Sequence, residues 1–463
     1  MNYRYMFFLF IILLSSCSSN RSSEKEAESE GAQSENNIEK VPDGKINPKK
    51  VDQGENTQVP EGEQARKPKI CHNPDFIKQV TLGYQGWFGA KGDGVGNAWK
   101  HWSRYNTVPA VNNVTFELYP DVSEYHPSDL FTTKLGKLGN GKPAKLFSSA
   151  RDGVVELHFQ WMTTYGLDGI ALQRFSSELK HKNSLKHNNE VAQLVKKYAE
   201  KYCRTYYIMY DLSGSSVGNV TQNIKSDWNN VLVKQLKITE SHRYVHYKNK
   251  PVIGLWGLGF NTDAHKFSKK QALDLIKWFR QKGFYIVGGV PYNWRTEKLD
   301  SRENWLEVYQ KYDMILPWSV GRYRENEELL HHYQAIWKPD LLYGKQNNLQ
   351  MKRVIFPGFA WSNWNHGARN EIPRKRGDFF WQQAYLTNQL GLGAYIAMFD
   401  EYDEATAIAK AATNKAMLPK QQYFLDLSER GQNISSDFYL RLSEKVTQMI
   451  HGRQGFNRSV PVK

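Results

Sequence analysis

The residues best equipped for chemistry crowd into one short stretch, A-Y-I-A-M-F-D-E-Y-D-E-A (Ala394–Ala405). Four carboxylates fall within five positions there: Asp400, Glu401, Asp403 and Glu404. Like charges at this spacing repel, so one or more should keep its proton above the ordinary carboxylate range. An acid and a base side by side are what general acid–base catalysis requires. A solvated acidic loop or a cation site would use the same residues. The apolar run before them, with Gly391 and Gly393 upstream, reads instead as a buried strand. Acidic side chains at the carboxyl end of a buried strand are the usual equipment of barrel enzymes.

The elements that must position these residues follow from the alternation of strand and helix patterns over the chain. Apolar strand runs centre on Thr81, Ile170, Ile208, Ile253, Ile286, Ile315, Ile355 and Ile396. Helical periodicity between them covers about 154–165, 189–202, 228–238, 271–280 and 379–390. Gly283 is placed as the cap of the fourth. Eight such strands separated by helices predict a parallel (β/α)8 barrel of the α/β class, with an open doubly wound sheet as the rival. Asn112–Asp121 reads as a strand or hairpin arm. The stretch on to Ser149 reads as a long loop, with a short strand at Lys145–Ser149. The glycines of K-G-D-G-V-G-N-A-W do not meet a phosphate-loop pattern and are read as turn residues.

Residues just after the strands form the second group of candidates. Gln85, Trp87, Arg174, Tyr210, Trp256, Arg295, Trp318, Arg322, Trp361 and Asp400 would converge on one face of a barrel. Indole rings stack on apolar faces of sugars, and the polar groups between them can hydrogen-bond hydroxyls. Each tryptophan alone is as well explained by core packing; their repetition at successive strand ends points to a glycan cleft.

The 463-residue chain carries a formal net charge of +15, which favours anionic partners such as acidic polysaccharide. No stripe of Lys and Arg at helical spacing marks a nucleic-acid surface, and none is expected as a partner. No C-x-x-C or H-E-x-x-H spacing indicates zinc, and the adjacent His331 and His332 point in different directions. No metal or cofactor is expected. Of the three cysteines, Cys71 and Cys203 could pair in an oxidising compartment.

The first 17 residues read as a leader: Arg4, an apolar stretch too short for a membrane span, then L-S-S-C. This ending resembles the lipobox of bacterial lipoproteins, which implies a lipid on Cys17 and a location in the bacterial cell envelope, held to a membrane by that lipid. Residues 18–69 lack Phe, Trp and Tyr and are rich in Ser, Glu, Lys, Gly, Asn and Pro, the composition of a disordered tether. Residues 70–463 then form one catalytic domain, expected to be a monomer.

F-D-E-Y-D-E-A-T (Phe399–Thr406) resembles the F-N-E-W-H-E-G-T signature of glycoside hydrolase family 99, the endo-acting α-mannosidases and α-mannanases. G-Y-Q-G-W-F, L-Q-R-F, P-W-S-V-G-R-Y and F-P-G-F resemble bacterial secreted proteins of the family 71/99-like type, over roughly Gly83–Ala409. The resemblance implies a (β/α)8 barrel that hydrolyses an internal α-glycosidic bond with retention. It implies that Glu401 is the base that deprotonates the sugar's own 2-hydroxyl, and that Glu404 is the acid/base. Asp400, Tyr402, Asp403 and Ala405 depart from the signature, so the sugar need not be mannose. Arg174, Arg295 and Arg322 with the basic body make an anionic glycan one expectation. A non-catalytic glycan-binding lipoprotein and a polysaccharide lyase using Tyr210, His366 and the arginines are the competing readings.

Overall fold

The computed structural model describes residues 71, 73–96, 98–215, 218–428, 431 and 433–463. The leader, Cys17 and the tether lie outside the described residues. Of the unit Leu13–Cys71, Cys71 alone is described; it is disulfide-bonded, as is Cys203. No helix among the described residues is long and apolar enough to cross a membrane.

The remaining unit is a closed (β/α)8 barrel. Its strands are β1 (Thr81–Tyr84), β2 (Gly169–Phe175), β3 (Thr205–Asp211), β4 (Lys250–Trp256), β5 (Tyr285–Val290), β6 (Met314–Pro317), β7 (Gln350–Ile355) and β8 (Gly393–Ile396). Each pairs in parallel with its neighbours, and β8 pairs with β1 to close the ring. All eight strand centres expected from sequence fall inside these strands. Leu172, Ile208, Ile253 and Ile286 stand opposite one another in register across β2 to β5. The strands are buried on both faces, which is why they read as continuous apolar runs. Gly83 permits a close approach inside the barrel: a Cβ there would meet the side chains of Met398 and Tyr395.

The helices Asp152–Thr164, Lys182–Tyr202, Lys269–Gln281 and Asp378–Gln389 cover the barrel. Ser268 caps the third by accepting from the Gln271 N–H, and the Gln271 side chain accepts from the Ser268 N–H, a reciprocal box. The region expected to be helical over 228–238 is a short α-helix (Val220–Ser226) that runs on as a wider π-helix over Asp227–Gln235. Asn112–Asp121 is not a strand; it makes isolated bridges, Val114 with Ser103 and Leu118 with Leu425. The long loop expected up to Ser149 instead holds an antiparallel hairpin, Leu130–Lys137 with Pro143–Phe147. A final helix, Phe438–Ile450, packs against Asp378–Gln389. The glycine-rich loop does turn, with Gly92 at φ 93° and Gly94 at φ 83°, around a buried Asp93 that Ser148 bonds at 2.9 Å.

Candidate active site

The carboxylate stretch begins where β8 ends, and hydrogen bonds to both neighbouring strands carry it on. Ala397 N–H donates to Ile355 O at 2.9 Å, and Phe399 N–H donates to Gly83 O at 2.7 Å. The four acids are thereby held at the carboxyl end of the barrel, each in a different environment.

Asp400 is fully buried and accepts from the N–H groups of Gln85 (2.7 Å) and Gly86 (2.8 Å). It pins the loop after β1, and both its oxygens, expected from sequence to contact substrate, are taken by these backbone donors. Burial outweighs those two donors and pushes its pKa up to about 7. Glu401 is also buried, and both its oxygens accept: Oε1 from Gln85 Nε2 and Oε2 from Thr406 Oγ1, each at 2.7 Å. Burial and then the charge of Asp403 raise it to about 8, while those two donors pull the other way. Glu404 is only half-buried, and its backbone carbonyl accepts from Ala360 N–H at 2.9 Å. Burial, Glu401, Asp403 and Asp211 all raise its carboxyl well above the usual range, and no hydrogen bond counters them. Two neighbouring carboxyls are thus set apart: donors favour the ionised form of Glu401, and nothing favours that of Glu404.

Asp403 is buried and meets His101 from the loop after β1, with Nδ1 at 3.0 Å from Oδ2. The His101 ring lies flat on Trp87, centroids 3.7 Å apart and planes at 5°, with Trp364 on a second side at 6.1 Å. Burial keeps this imidazole neutral, with its pKa lowered to about 3. Ala405 occupies the position that is glycine in the resembled signature, and its φ of 52° lies in the left-handed region that glycine adopts freely.

The cleft wall also runs the other way round the barrel. Trp256 packs against Trp318 at 5.2 Å, and Trp318 against Tyr395 at 6.0 Å. Gln173 donates to the Tyr395 hydroxyl at 2.9 Å. Several polar atoms here are buried without a partner: the indole N–H groups of Trp87 and Trp256, Gln85 Oε1 and Asp403 Oδ1. Such atoms are rare in native interiors, and here they cluster beside the acidic pair, where they are free to take hydrogen bonds from or give them to a ligand.

The structure therefore brings Glu401, Glu404, Gln85, Trp87, Trp256 and Trp318 to one end of the barrel. The cationic candidates that follow the strands are each engaged by a carboxylate. Arg174 is buried and donates through Nε to Asp227 at 2.7 Å and through Nη2 to Asn189 at 2.8 Å. Tyr210 is buried and donates to the same Asp227 at 2.6 Å. Arg295 pairs with Asp340 and Arg322 with Asp300, each at 3.0 Å. Trp361 packs on Phe359 and follows Ala360, whose N–H holds the Glu404 carbonyl. Strand alternation explains the first two: Arg174 and Tyr210 have the parity of Leu172 and Ile208 and point outward to the helix layer. Their neighbours Gln173 and Asp211 point inward.

Asp211, a strand-end residue beside Tyr210, is the further carboxylate of the mouth. It ends β3, Ser213 N–H donates to its Oδ1 at 2.7 Å, and burial pushes it up to about 7. Its charge weighs on Glu404 from across the mouth. The signal was parity: counting in twos from Tyr207 reaches Asp211 and excludes Tyr210. His101 and Trp364 offered no such signal. Among the described residues, no group of three or more His, Cys, Asp or Glu is placed to hold a metal ion.

No family model and no curated protein matches the sequence. Solved structures do resemble it. The GH99 endo-alpha-mannosidase from Bacteroides thetaiotaomicron, in complex with BIS-TRIS-propane, superposes with a TM-score of 0.57 at 12% identity, over 81% of this chain and 97% of that one. A second structure of that enzyme gives a TM-score of 0.56 at 13% identity over the same shares. At this identity the similarity establishes the barrel architecture over most of the described chain, reached independently of the short motifs read from the sequence.

Proposed function

We propose that the protein is a glycoside hydrolase that cleaves an α-linked polysaccharide, with Glu401 as base and Glu404 as acid. The observation that carries this reading is the inequality of the two carboxyls: Glu401 holds two hydrogen-bond donors and Glu404 is raised with none to oppose it. Glu401, once ionised, takes the proton of a sugar 2-hydroxyl as that oxygen attacks the anomeric carbon. Glu404 gives its proton to the departing glycosidic oxygen. Water then enters, Glu404 takes its proton, and the new hydroxyl opens the strained ring while Glu401 returns the first proton. The anomeric centre is inverted twice, so configuration is retained. A pair three residues apart on one loop suits this sequence better than a nucleophile and an acid facing each other about 5 Å apart across the ring. The resemblance of Phe399–Thr406 to the family 99 signature and the shared barrel support the same chemistry. The lipobox-like L-S-S-C adds the proposal that the enzyme is anchored through Cys17 at the cell envelope.

The test is product analysis over α-mannans, α-glucans and acidic α-glycans, for the native protein beside Glu401→Gln and Glu404→Gln. New reducing ends from one polymer, lost in both variants, is the expected result. Unchanged turnover in either variant would overturn the assignment, and an ultraviolet-absorbing unsaturated sugar would make the protein a lyase. Failure of a Cys17→Ser variant to leave the membrane fraction would remove the anchor.

A further inference from the structure

Three cationic side chains that follow the strands, Arg174, Arg295 and Arg322, are each paired with a buried aspartate. Lys100, next to His101, is likewise held by Glu178 at 2.5 Å. Around the mouth itself stand Asp211, Asp400, Glu401, Asp403 and Glu404. An anionic group on a glycan would meet repulsion there and needs a cationic site elsewhere.

One groove on the same end of the barrel offers it. It has a volume of about 500 Å³ and is lined by Leu179, Leu185 and three exposed lysines, Lys180, Lys182 and Lys186, against one carboxylate, Glu190. None of the three lysines takes part in an ion pair among the described residues. The groove starts in the connection after β2 and follows the first turns of the helix Lys182–Tyr202, so its near edge lies at the end of the barrel where the acids stand. It is also continuous with them through short links. Leu179 follows Glu178, which holds Lys100; His101 comes next and meets Asp403. Asn188 donates to Glu178 at 2.9 Å, and Lys186 Nζ donates to Gly94 O at 3.2 Å, in the loop that follows Gln85 and Trp87. His187, buried beneath the groove, bonds Gly86 O at 2.9 Å. The wall of the cleft and the floor of the groove are therefore one packed unit.

We propose that this groove is a distal subsite for an anionic substituent, a sulfate or a uronate carboxylate, on the glycan whose backbone occupies the cleft. The lysines give the charge, and Leu179 and Leu185 give an apolar floor for a sugar face. The site rests on the glycoside hydrolase reading for its substrate, but its charge recognition is measurable without turnover. A polysaccharide is favoured over an anionic membrane surface because the groove shares the end of the barrel that must stay open to substrate.

The experiment compares the full chain with two variants of equal charge loss. One is Lys180→Gln, Lys182→Gln, Lys186→Gln; the control is Lys234→Gln, Lys277→Gln, Lys345→Gln, exposed positions on outer helices. Affinity electrophoresis through gels containing yeast α-mannan or the same mannan chemically sulfated reads binding, and vesicles with and without phosphatidylglycerol form a second arm. The sulfated polymer should bind the native and control proteins more tightly than the neutral one. The groove variant should lose about tenfold of that affinity at low ionic strength, and the difference should shrink in high salt. Binding to neutral mannan should be the same in all three proteins. Equal binding of sulfated mannan by groove and control variants overturns the subsite, as does absence of any preference in the native protein. Loss confined to the anionic vesicles assigns the groove to a membrane instead. Turnover that survives Glu404→Gln sinks the hydrolase reading and leaves the charge comparison standing.

Discussion

The two ends of the barrel both bury ionisable groups, and they treat them in opposite ways. At the amino ends of the strands, Lys352 of β7 is 1 % exposed, donates to Thr81 Oγ1 at 3.0 Å and sits 4.2 Å above the ring of Phe76. Asp168 accepts from Val80 N–H at 2.8 Å and meets His451 Nε2 at 3.0 Å, and Gln79 donates to Thr205. These polar groups are partnered, and aromatic rings close over them. At the carboxyl ends, five carboxylates share one mouth, and the indole N–H groups, Gln85 Oε1 and Asp403 Oδ1 near it lack partners. Polar groups satisfied by the fold stabilise it; those left unsatisfied and mutually repelling are held in place by the rest of the molecule and are available to a ligand.

The largest way to break the comparison is to neutralise the mouth. Glu404→Gln should lower turnover of the cleaved glycan by about 10²–10⁴-fold with the far-ultraviolet spectrum unchanged. The same loss accompanied by unfolding would mean the mouth is a structural centre after all. Next is the ion pair outside it: Asp227→Ala leaves Arg174 buried without its partner and should cost about 3–5 kcal/mol in a denaturant titration.

A smaller effect joins the mouth to its support. Arg374 donates to Ala405 O at 2.9 Å and Ala407 O at 2.6 Å, and lies against the Tyr439 ring at 4.5 Å. Arg374→Gln should lower kcat by about tenfold with little change in KM, since each lost hydrogen bond is worth about 1 kcal/mol. Arg374→Lys should recover part of it.

The smallest effect separates the two ends by sign. Asp400 and Glu401 are raised to about 7 and about 8, so the folded state holds their protons more tightly than the unfolded chain does. Their contribution is full below about pH 4 and is lost as pH rises through 7 to 8. Lys352 is lowered to about 7 by burial, so its contribution is full above about pH 10 and is lost as pH falls through 7. Lys352→Met should flatten the rise of stability between about pH 7 and 10 and leave the acid limb as it was, as urea titrations across that range would show. A curve still rising in the variant would place the titrating group elsewhere.

Much of this was legible in the chain. The eight strand centres were readable because strands buried on both faces are apolar runs, and the crowding of four acids after the last of them because they are consecutive in the chain. What failed was orientation. Arg174, Tyr210 and Asp400 stand at strand ends as expected, yet the first two face the helix layer and the third ties down a neighbouring loop. The second arm of the hairpin over 130–147 was read as a short strand at Lys145–Ser149, but the first was missed because K-L-G-K-L-G-N-G-K has the composition of a loop, and only pairing across it makes a sheet.

The sequence by itself determined the barrel and the crowding of acids at its last strand, because both are written in consecutive residues. Only the tertiary structure decided which acid is donor-bound and which is not, since Gln85 reaches Glu401 across 316 positions and His101 reaches Asp403 across 302. Protonation follows from burial and from neighbours in space, and closing the barrel is what makes those neighbours.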